Sequence, residues 1–305
     1  MAIQDFPQLA AIGPASRHAA DGDDMPIRSA RWRRWSEALR MLRGRPGFVL
    51  ALAFILFILL AAIAPAILTG FDPYATAPLQ KLRPPSFAHW FGTDELGRDL
   101  YTRVIYGAGL SVQAALLAVS IAFIGGSSLG LFAGFFGGRI DACIMRLIDV
   151  LLALPGLLLA LAIVTAIGFG TLPVAVAVGF GILPGFARTM RAEVMRVKTL
   201  AYVEAARLGG AGWGRILVNH ILPNCLGAVI VLATLDFGVA ILVASGLSFL
   251  GFGAAPPAAE WGTLIANGRK FLVTASWLSL LPGLFVALAV FALNHISRTL
   301  EEVER

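Results

Sequence analysis

The stretch "FVLALAFILFILLAAIAPAILT", Phe48 to Thr69, runs for 22 residues without a single charge. About 20 apolar residues in a helix cross the hydrocarbon core of a bilayer. Inside lipid only helices and closed barrels satisfy every backbone N–H and C=O. Five further apolar runs follow at Ala108–Phe136, Ile144–Ile167, Leu172–Val194, Leu226–Leu247 and Trp277–Ile296. The whole chain is 58% hydrophobic and 14% charged, whereas soluble domains carry about a quarter charged residues. The expectation is an all-α integral membrane protein with six transmembrane helices, an even count that puts both termini on one side.

The runs divide the chain. Residues 1–46 form a tail, 47–70 the first transmembrane helix, 71–106 a polar connection, and 107–305 the remaining helical domain with a polar loop at about 195–225. Within the tail, residues 1–27 are rich in Ala, Asp, Gly and Pro and read as disordered. "RSARWRRWSEALRMLRGRP", Arg28 to Pro46, reads as a basic amphipathic helix lying on lipid, with Trp32 and Trp35 as anchors.

The formal charge of +6 invites a nucleic-acid reading, but the arginines sit in the gaps between apolar runs and gather on no folded face. Eighteen of the 24 lysines and arginines fall in the two tails, the turn between the second and third runs and the loop between the fourth and fifth. The other connections hold six. Positive residues stay on the cytoplasmic side, so both termini and the 195–225 loop are expected there.

Four features inside the apolar runs stand out. Gly126, Gly130, Gly134 and Gly138 recur every fourth residue; on one helix they form a side-chain-free face that a neighbouring helix can approach closely. In the third run Arg146 and Asp149 are spaced to pair, and Pro155 is expected to kink the helix. Asp236 lies midway along the fifth run, where an acid facing lipid costs roughly 2.5–3.5 kcal/mol. It is expected to line a water-filled path or to be hydrogen-bonded inside the bundle. Cys143 and Cys225 have neither CxxC spacing nor a histidine nearby, and read as small buried hydrophobes.

Catalytic patterns are missing. No GxxxxGK[ST] phosphate loop or HExxH occurs, no serine sits in a G-x-S-x-G elbow (the match at Gly126–Gly130 falls inside an apolar helical run), and the four histidines are scattered. Neither an intramembrane enzyme nor, with Asp236 alone, an ion-coupled carrier finds much support.

The polar loop is the most informative segment. "TLAYVEAARL", Thr199 to Leu208, suits a short helix with Ala205 and Ala206 presenting a low surface; Glu204 and Arg207 are three apart and can pair. Gly209 and Gly210 stop it. "WGRILVNH" suits a second short helix, and Pro223 the first turn of the fifth span. A rigid polar platform joined to two spans can carry a mechanical link.

The order Glu204-Ala205-Ala206, three residues, Gly210, nine residues, His220-Ile221-Leu222-Pro223 resembles the EAA loop of ABC-importer permeases. "HILPN", ending at Asn224, resembles its peptide-importer form. "FGTDELGRDLYTRVIYGAGLSV" (Phe91–Val112), "MRLIDVLLALPGLLLA" (Met145–Ala160) and "LSFLGFGAAPPAAEWG" (Leu247–Gly262) are similar to the dipeptide/oligopeptide/nickel permease family, to the second of its two paired subunits.

The resemblance implies a type I ABC-importer permease fold, with Glu204, Ala205, Ala206, Gly210, His220, Leu222, Pro223 and Asn224 coupling to an ATPase. It implies a homologous second permease subunit, two cytoplasmic ABC ATPase subunits that bind ATP and Mg, and a periplasmic or lipid-anchored solute-binding protein. This chain would bind no cofactor. The expected setting is the bacterial cytoplasmic (inner) membrane and the expected cargo short peptides, with nickel complexes or glutathione as alternatives. The 1–2 and 5–6 connections are candidate contacts for the binding protein, the first with Thr93, Asp94, Gly97, Arg98 and Asp99.

Overall fold

A computed structural model describes residues 46–304, and the side chains up to Thr299. The expected disordered stretch 1–27 and basic helix 28–46 lie outside the described residues, except Pro46. Among those described, every regular element is helical. Five helices are long and apolar enough to cross a membrane, six if a bent pair of shorter helices counts as one span.

The first span, α1 (Pro46–Ile63), packs its Phe54 and Phe57 rings edge-on to Phe285 at 5.4 and 6.2 Å. Phe285 belongs to the last helix, α9 (Trp277–Glu304). The second span, α2 (Leu100–Phe136), is longer than its apolar run. Asp99 caps it by accepting from the Thr102 N–H at 2.7 Å. That cap starts the helix eight residues before hydropathy alone would, because Arg103 interrupts the apolar pattern. At 37 residues it measures about 55 Å, well beyond a bilayer core.

The third run is broken at Pro155 rather than merely kinked. It divides into α3 (Gly138–Ala153) and α4 (Gly156–Ile167), bent by 94°. Pro155 has no N–H to continue the ladder and forces Leu154 into an extended conformation (φ −93, ψ 135). Its own carbonyl then accepts the Leu159 N–H at 3.0 Å and opens the next helix. Neither half alone spans about 30 Å.

The centre of the bundle is the pairing of α2 with α5 (Thr171–Val197). A Cβ on Gly126 would lie 2.5 Å from the Leu183 carbonyl, and one on Gly134 2.9 Å from that of Arg191. A Cβ on Gly130 would collide with the Ala187 carbonyl. Gly179 repeats the close approach from α5 toward Ala118. The glycine face is therefore real for three of its four members. Gly138 is not among them: α2 ends at Phe136, and Gly138 starts α3 with φ +56 and nothing within 4 Å of a Cβ. The four-residue rhythm of the sequence simply outruns the helix.

Two smaller expectations also change. Asp149 pairs not with Arg146 but with Arg188 of α5 at 2.7 Å. Cys225 is buried as expected, whereas Cys143 is exposed.

At the opposite end from the polar loop, residues 71–99 fold without long helices into a strut. Asp94 pairs with Arg98 at 2.6 Å, and His89 sits between Asp99 (2.9 Å) and Gln80 (3.0 Å). Arg103, 2% exposed, donates to the Pro73 carbonyl at 2.9 Å and the Pro257 carbonyl at 3.4 Å. Trp261, at the start of α8 (Trp261–Gly268), donates its indole N–H to the Val104 carbonyl at 2.9 Å. Nearby, the buried Glu260 carboxylate accepts from the Ser248 hydroxyl at 2.6 Å and the Ala254 N–H at 2.8 Å. The two connections at this end of the bundle are thus locked into one body.

Candidate coupling segment

The loop between the fourth and fifth spans holds the expected short helix, α6 (Ala201–Leu208). Leu200 enters it in an extended conformation, and Val203 alone faces inward. Glu204, Ala205 and Arg207 are exposed, Ala206 partly so, and Leu208 is 84% exposed. An apolar side chain so displayed beside two alanines gives α6 a surface that nothing among the described residues covers.

The expected Glu204–Arg207 pair does not form. Glu204 makes no hydrogen bond or ion pair among the described residues, and Arg207 instead lies over the Trp213 ring at 5.0 Å. Trp213 in turn meets Phe135 edge-on at 5.6 Å. A guanidinium over an indole face gains the ring's electrostatic attraction together with broad contact, which outweighs a solvated i,i+3 ion pair.

Gly210 adopts φ +80 and is exposed, and a Cβ added there would meet nothing within 4 Å. Its neighbours close the turn, Gly209 N–H to Ala205 O at 2.9 Å and Ala211 N–H to Ala206 O at 3.1 Å. Beyond the turn the expected separate second helix is absent. Residues from Trp213 run on into the fifth span as one helix, α7 (Trp213–Phe249). A π turn at Leu217–Ile221 interrupts it, with the Leu222 N–H reaching back to the Leu217 carbonyl.

Pro223, exposed near the start of the regular Leu222–Phe249 stretch, lacks the N–H that an α ladder would need there. Asn224 donates its side-chain N–H to the His220 carbonyl at 2.6 Å. The same carbonyl lies 3.5 Å from the Tyr202 hydroxyl of α6. His220 and Leu222 are partly buried. Their side of the motif thus holds the turn together, while Glu204, Ala205 and Gly210 present outward.

Three contacts fasten the end of α5 just before α6. Arg191 binds Asp141 of α3 through two bonds of 2.5 and 2.6 Å. Arg188 meets Asp149 on the same helix. Lys198 donates to the carbonyls of Gly134 and Phe135 at 2.9 and 3.5 Å, capping α2. Between the end of α2 and α6 lies a hollow of about 500 Å³, lined among others by Phe135, Lys198, Glu204, Arg207 and Trp213. Sequence reasoning misses the contacts at Asp141, Lys198 and Trp213. Oppositely charged residues at the same ends of neighbouring spans are the signal that could find the first.

Asp236 does not belong to this cluster. It stands in the middle of the Leu222–Phe249 stretch of α7, partly buried, with no hydrogen bond or ion pair among the described residues.

Comparison with known proteins places this arrangement. Residues 126–303 match the family model "Binding-protein-dependent transport system inner membrane component". Residues 33–85 match "N-terminal TM domain of oligopeptide transport permease C". The dipeptide transport system permease protein of Alkalihalophilus pseudofirmus is 41% identical over 268 residues, 88% of each chain. The di/tripeptide permease of Pseudomonas aeruginosa is 44% identical over 249 residues, 80% of this chain and 82% of that one. A glutathione transport permease of Pectobacterium atrosepticum is 37% identical, covering 88% and 89%.

Among solved structures, a methionine ABC transporter in inward-facing form aligns with TM-score 0.51 at 17% identity, over 65% of this chain and 95% of that chain. An amino acid ABC transporter aligns with TM-score 0.52 at 16% identity, over 66% and 94%. These two establish a shared fold. The chain belongs to the family of binding-protein-dependent transport system inner membrane components, in its branch of dipeptide and oligopeptide permeases.

Proposed function

We propose that this chain is one of two permease subunits of an ATP-driven importer for short peptides, moved by a separate ATPase that grips α6. The observation that carries the reading is the outward display of Glu204, Ala205 and Leu208 on a helix whose root is fastened to α2, α3 and α5. A partner that pulls α6 pulls those helices with it. The likeness to dipeptide permeases at about 40% identity supports peptides as the cargo.

In this reading both termini and α6 are cytoplasmic, which the distribution of lysine and arginine supports. Two ABC ATPase subunits bind ATP and Mg, while this chain performs no chemistry and holds no cofactor. The coupling surface comprises Glu204, Ala205, Ala206 and Gly210, with His220, Leu222, Pro223 and Asn224 shaping the turn behind it. A groove on the ATPase receives α6, a helix-in-groove contact. Rocking of this subunit against its homologous partner gives alternating access. A solute-binding protein outside delivers peptide to the strut of residues 71–99 and to the 251–276 connection.

Glutathione, itself a tripeptide, is the second reading, favoured by the Pectobacterium relative. Proteoliposomes holding the full complex, with ATP inside and binding protein outside, separate the two by the labelled solute that accumulates. Glu204→Lys should leave the subunit inserted and abolish ATP-driven uptake. Uptake at the normal rate in that variant would remove α6 from the coupling role.

A further inference from the structure

Asp236 bears on what one side of α7, left open by the described residues, faces. By helical spacing Leu232, Asp236, Val239, Val243, Gly246 and Leu250 share one face. None of the six is buried, and Val239 and Leu250 are 40% and 54% exposed. The opposite side, with Ile241, Ala244 and Ser245, is buried, and so is Ala240 one turn along from Asp236, which places the acid at the border between the two sides; α7 packs against α2, α5, α8 and α9. Asp236 stands at the middle of the 28-residue Leu222–Phe249 stretch, about 20 Å from either end.

Lipid strongly disfavours an acid at that depth. In the two-subunit reading proposed above, the face that the described residues leave uncovered looks into a cleft, toward the second permease subunit and the path between them. Nothing among the described residues offers Asp236 a cation. The side chains sharing its face are apolar, so few protein groups compete for its oxygens.

We propose that Asp236 is the counter-charge that meets the ammonium group of a peptide in transit, so that the permease itself favours solutes with a free amino terminus. This rests on the peptide-importer reading above. A peptide ammonium carries three N–H donors and a carboxylate only acceptors. A charge-assisted bond between them is stronger and shorter than a neutral one, and apolar surroundings strengthen it further. The acid thus lowers the barrier that the apolar middle of the path presents to a charged terminus. It acts in passage, after the binding protein has released the peptide.

The test uses the assembled complex in proteoliposomes at saturating binding protein, with labelled alanyl-alanine as probe. Asp236→Asn should slow the maximal uptake rate about tenfold or more, with the concentration for half-maximal uptake little changed. Asp236→Glu should restore most of the rate, which a purely steric role would not allow. Thermal stability and co-purification of the two permease subunits should stay at wild-type levels in both variants. Full-rate uptake by Asp236→Asn, with wild type active, overturns the assignment alone. Loss of uptake with separation of the permease subunits assigns the acid to a bond between them and also overturns it. Failure of the wild-type complex to take up alanyl-alanine removes the dipeptide reading and this inference with it.

Discussion

Asp141 and Arg191 face each other as a two-point ion pair, with Nε 2.5 Å from Oδ1 and Nη2 2.6 Å from Oδ2. Their side chains are 20% and 31% exposed, whereas those of Asp149 and Arg188, the second pair between the same two helices, are 55% and 56% exposed. A fork-on-carboxylate contact sheltered from water is worth more than a solvated one. A double-mutant cycle with Asp141→Ala and Arg191→Ala should give a coupling of about 1–2 kcal/mol in thermal unfolding in detergent. The same cycle at Asp149 and Arg188 should give about 0.5 kcal/mol or less. Exchanging the first pair as Asp141→Arg with Arg191→Asp should recover part of the loss. Equal couplings at both sites would show that shelter from water is not what separates them.

Two glycines on either side of one helix boundary should answer the same substitution in opposite ways. Gly138→Asn has open space around it and a left-handed backbone that Asn adopts readily. It should change stability little. Gly130→Asn must push α5 off α2, because even a Cβ there collides with the Ala187 carbonyl. Overpacking of that kind costs about 3 kcal/mol. Thermal melting of the purified subunit compares them directly, and an unharmed Gly130→Asn would mean the two helices do not lie this close.

The spans are legible in the sequence because lipid imposes one rule on every residue of a helix, and a run such as Phe48–Thr69 can obey it in only one way. Three glycines of the α2 face are legible for a similar reason, since spacing decides which residues share a side. Gly138 falls outside that face because spacing says nothing of where a helix stops. The stop is set by Gly137 and Gly138, both with positive φ, and by the pairing of the next helix with α5. Pro155 announces a break, but its 94° size follows from the extended Leu154 before it.

In the candidate coupling segment α6 is readable from composition and its turn from two glycines. The Arg207–Trp213 stack is not, because the sequence offers Glu204 as the nearer partner. Only the fold decides that Trp213 is held in place by Phe135 from the end of α2. The Lys198 cap is hidden likewise, its acceptors being backbone carbonyls that carry no side-chain signature.

Trp213 should matter for coupling out of proportion to its exposure of 59%. It is the bridge between Arg207 on α6 and Phe135 at the end of α2. Trp213→Ala removes both contacts and leaves untouched the surface of α6 proposed to meet the ATPase. The expected result is a complex that assembles and hydrolyses ATP but accumulates several-fold less peptide per ATP consumed. Trp213→Phe keeps the edge-on contact and a weaker cation–π attraction, and should fall between. A complex with an unchanged ratio of peptide to ATP in the alanine variant would show that α6 drives the spans through α5 and α7 alone.

Arg103 makes the corresponding test at the other end of the molecule. It is 2% exposed, donates to carbonyls of Pro73 and Pro257, and lies 3.6 Å from the Asp94 carboxylate that Arg98 also holds. Its planar fork reaches two carbonyls that belong to different connections, which a lysine with one ammonium cannot reproduce. Arg103→Met leaves both carbonyls without their donor and removes one of the two cations beside Asp94. Breaking one side of a buried charged arrangement costs about 3–5 kcal/mol.

Arg103→Lys should keep the charge but lose the bridge and recover less than half of that. Arg83→Ala, an exposed position in the same connection, should be near neutral. Thermal melting of the subunit in detergent reads all three. Because α6 lies at the far end of the bundle, ATP hydrolysis by the complex that does assemble with Arg103→Met should remain coupled to uptake. A variant as stable as wild type would mean that the two connections are held together by Trp261 without help from the arginine.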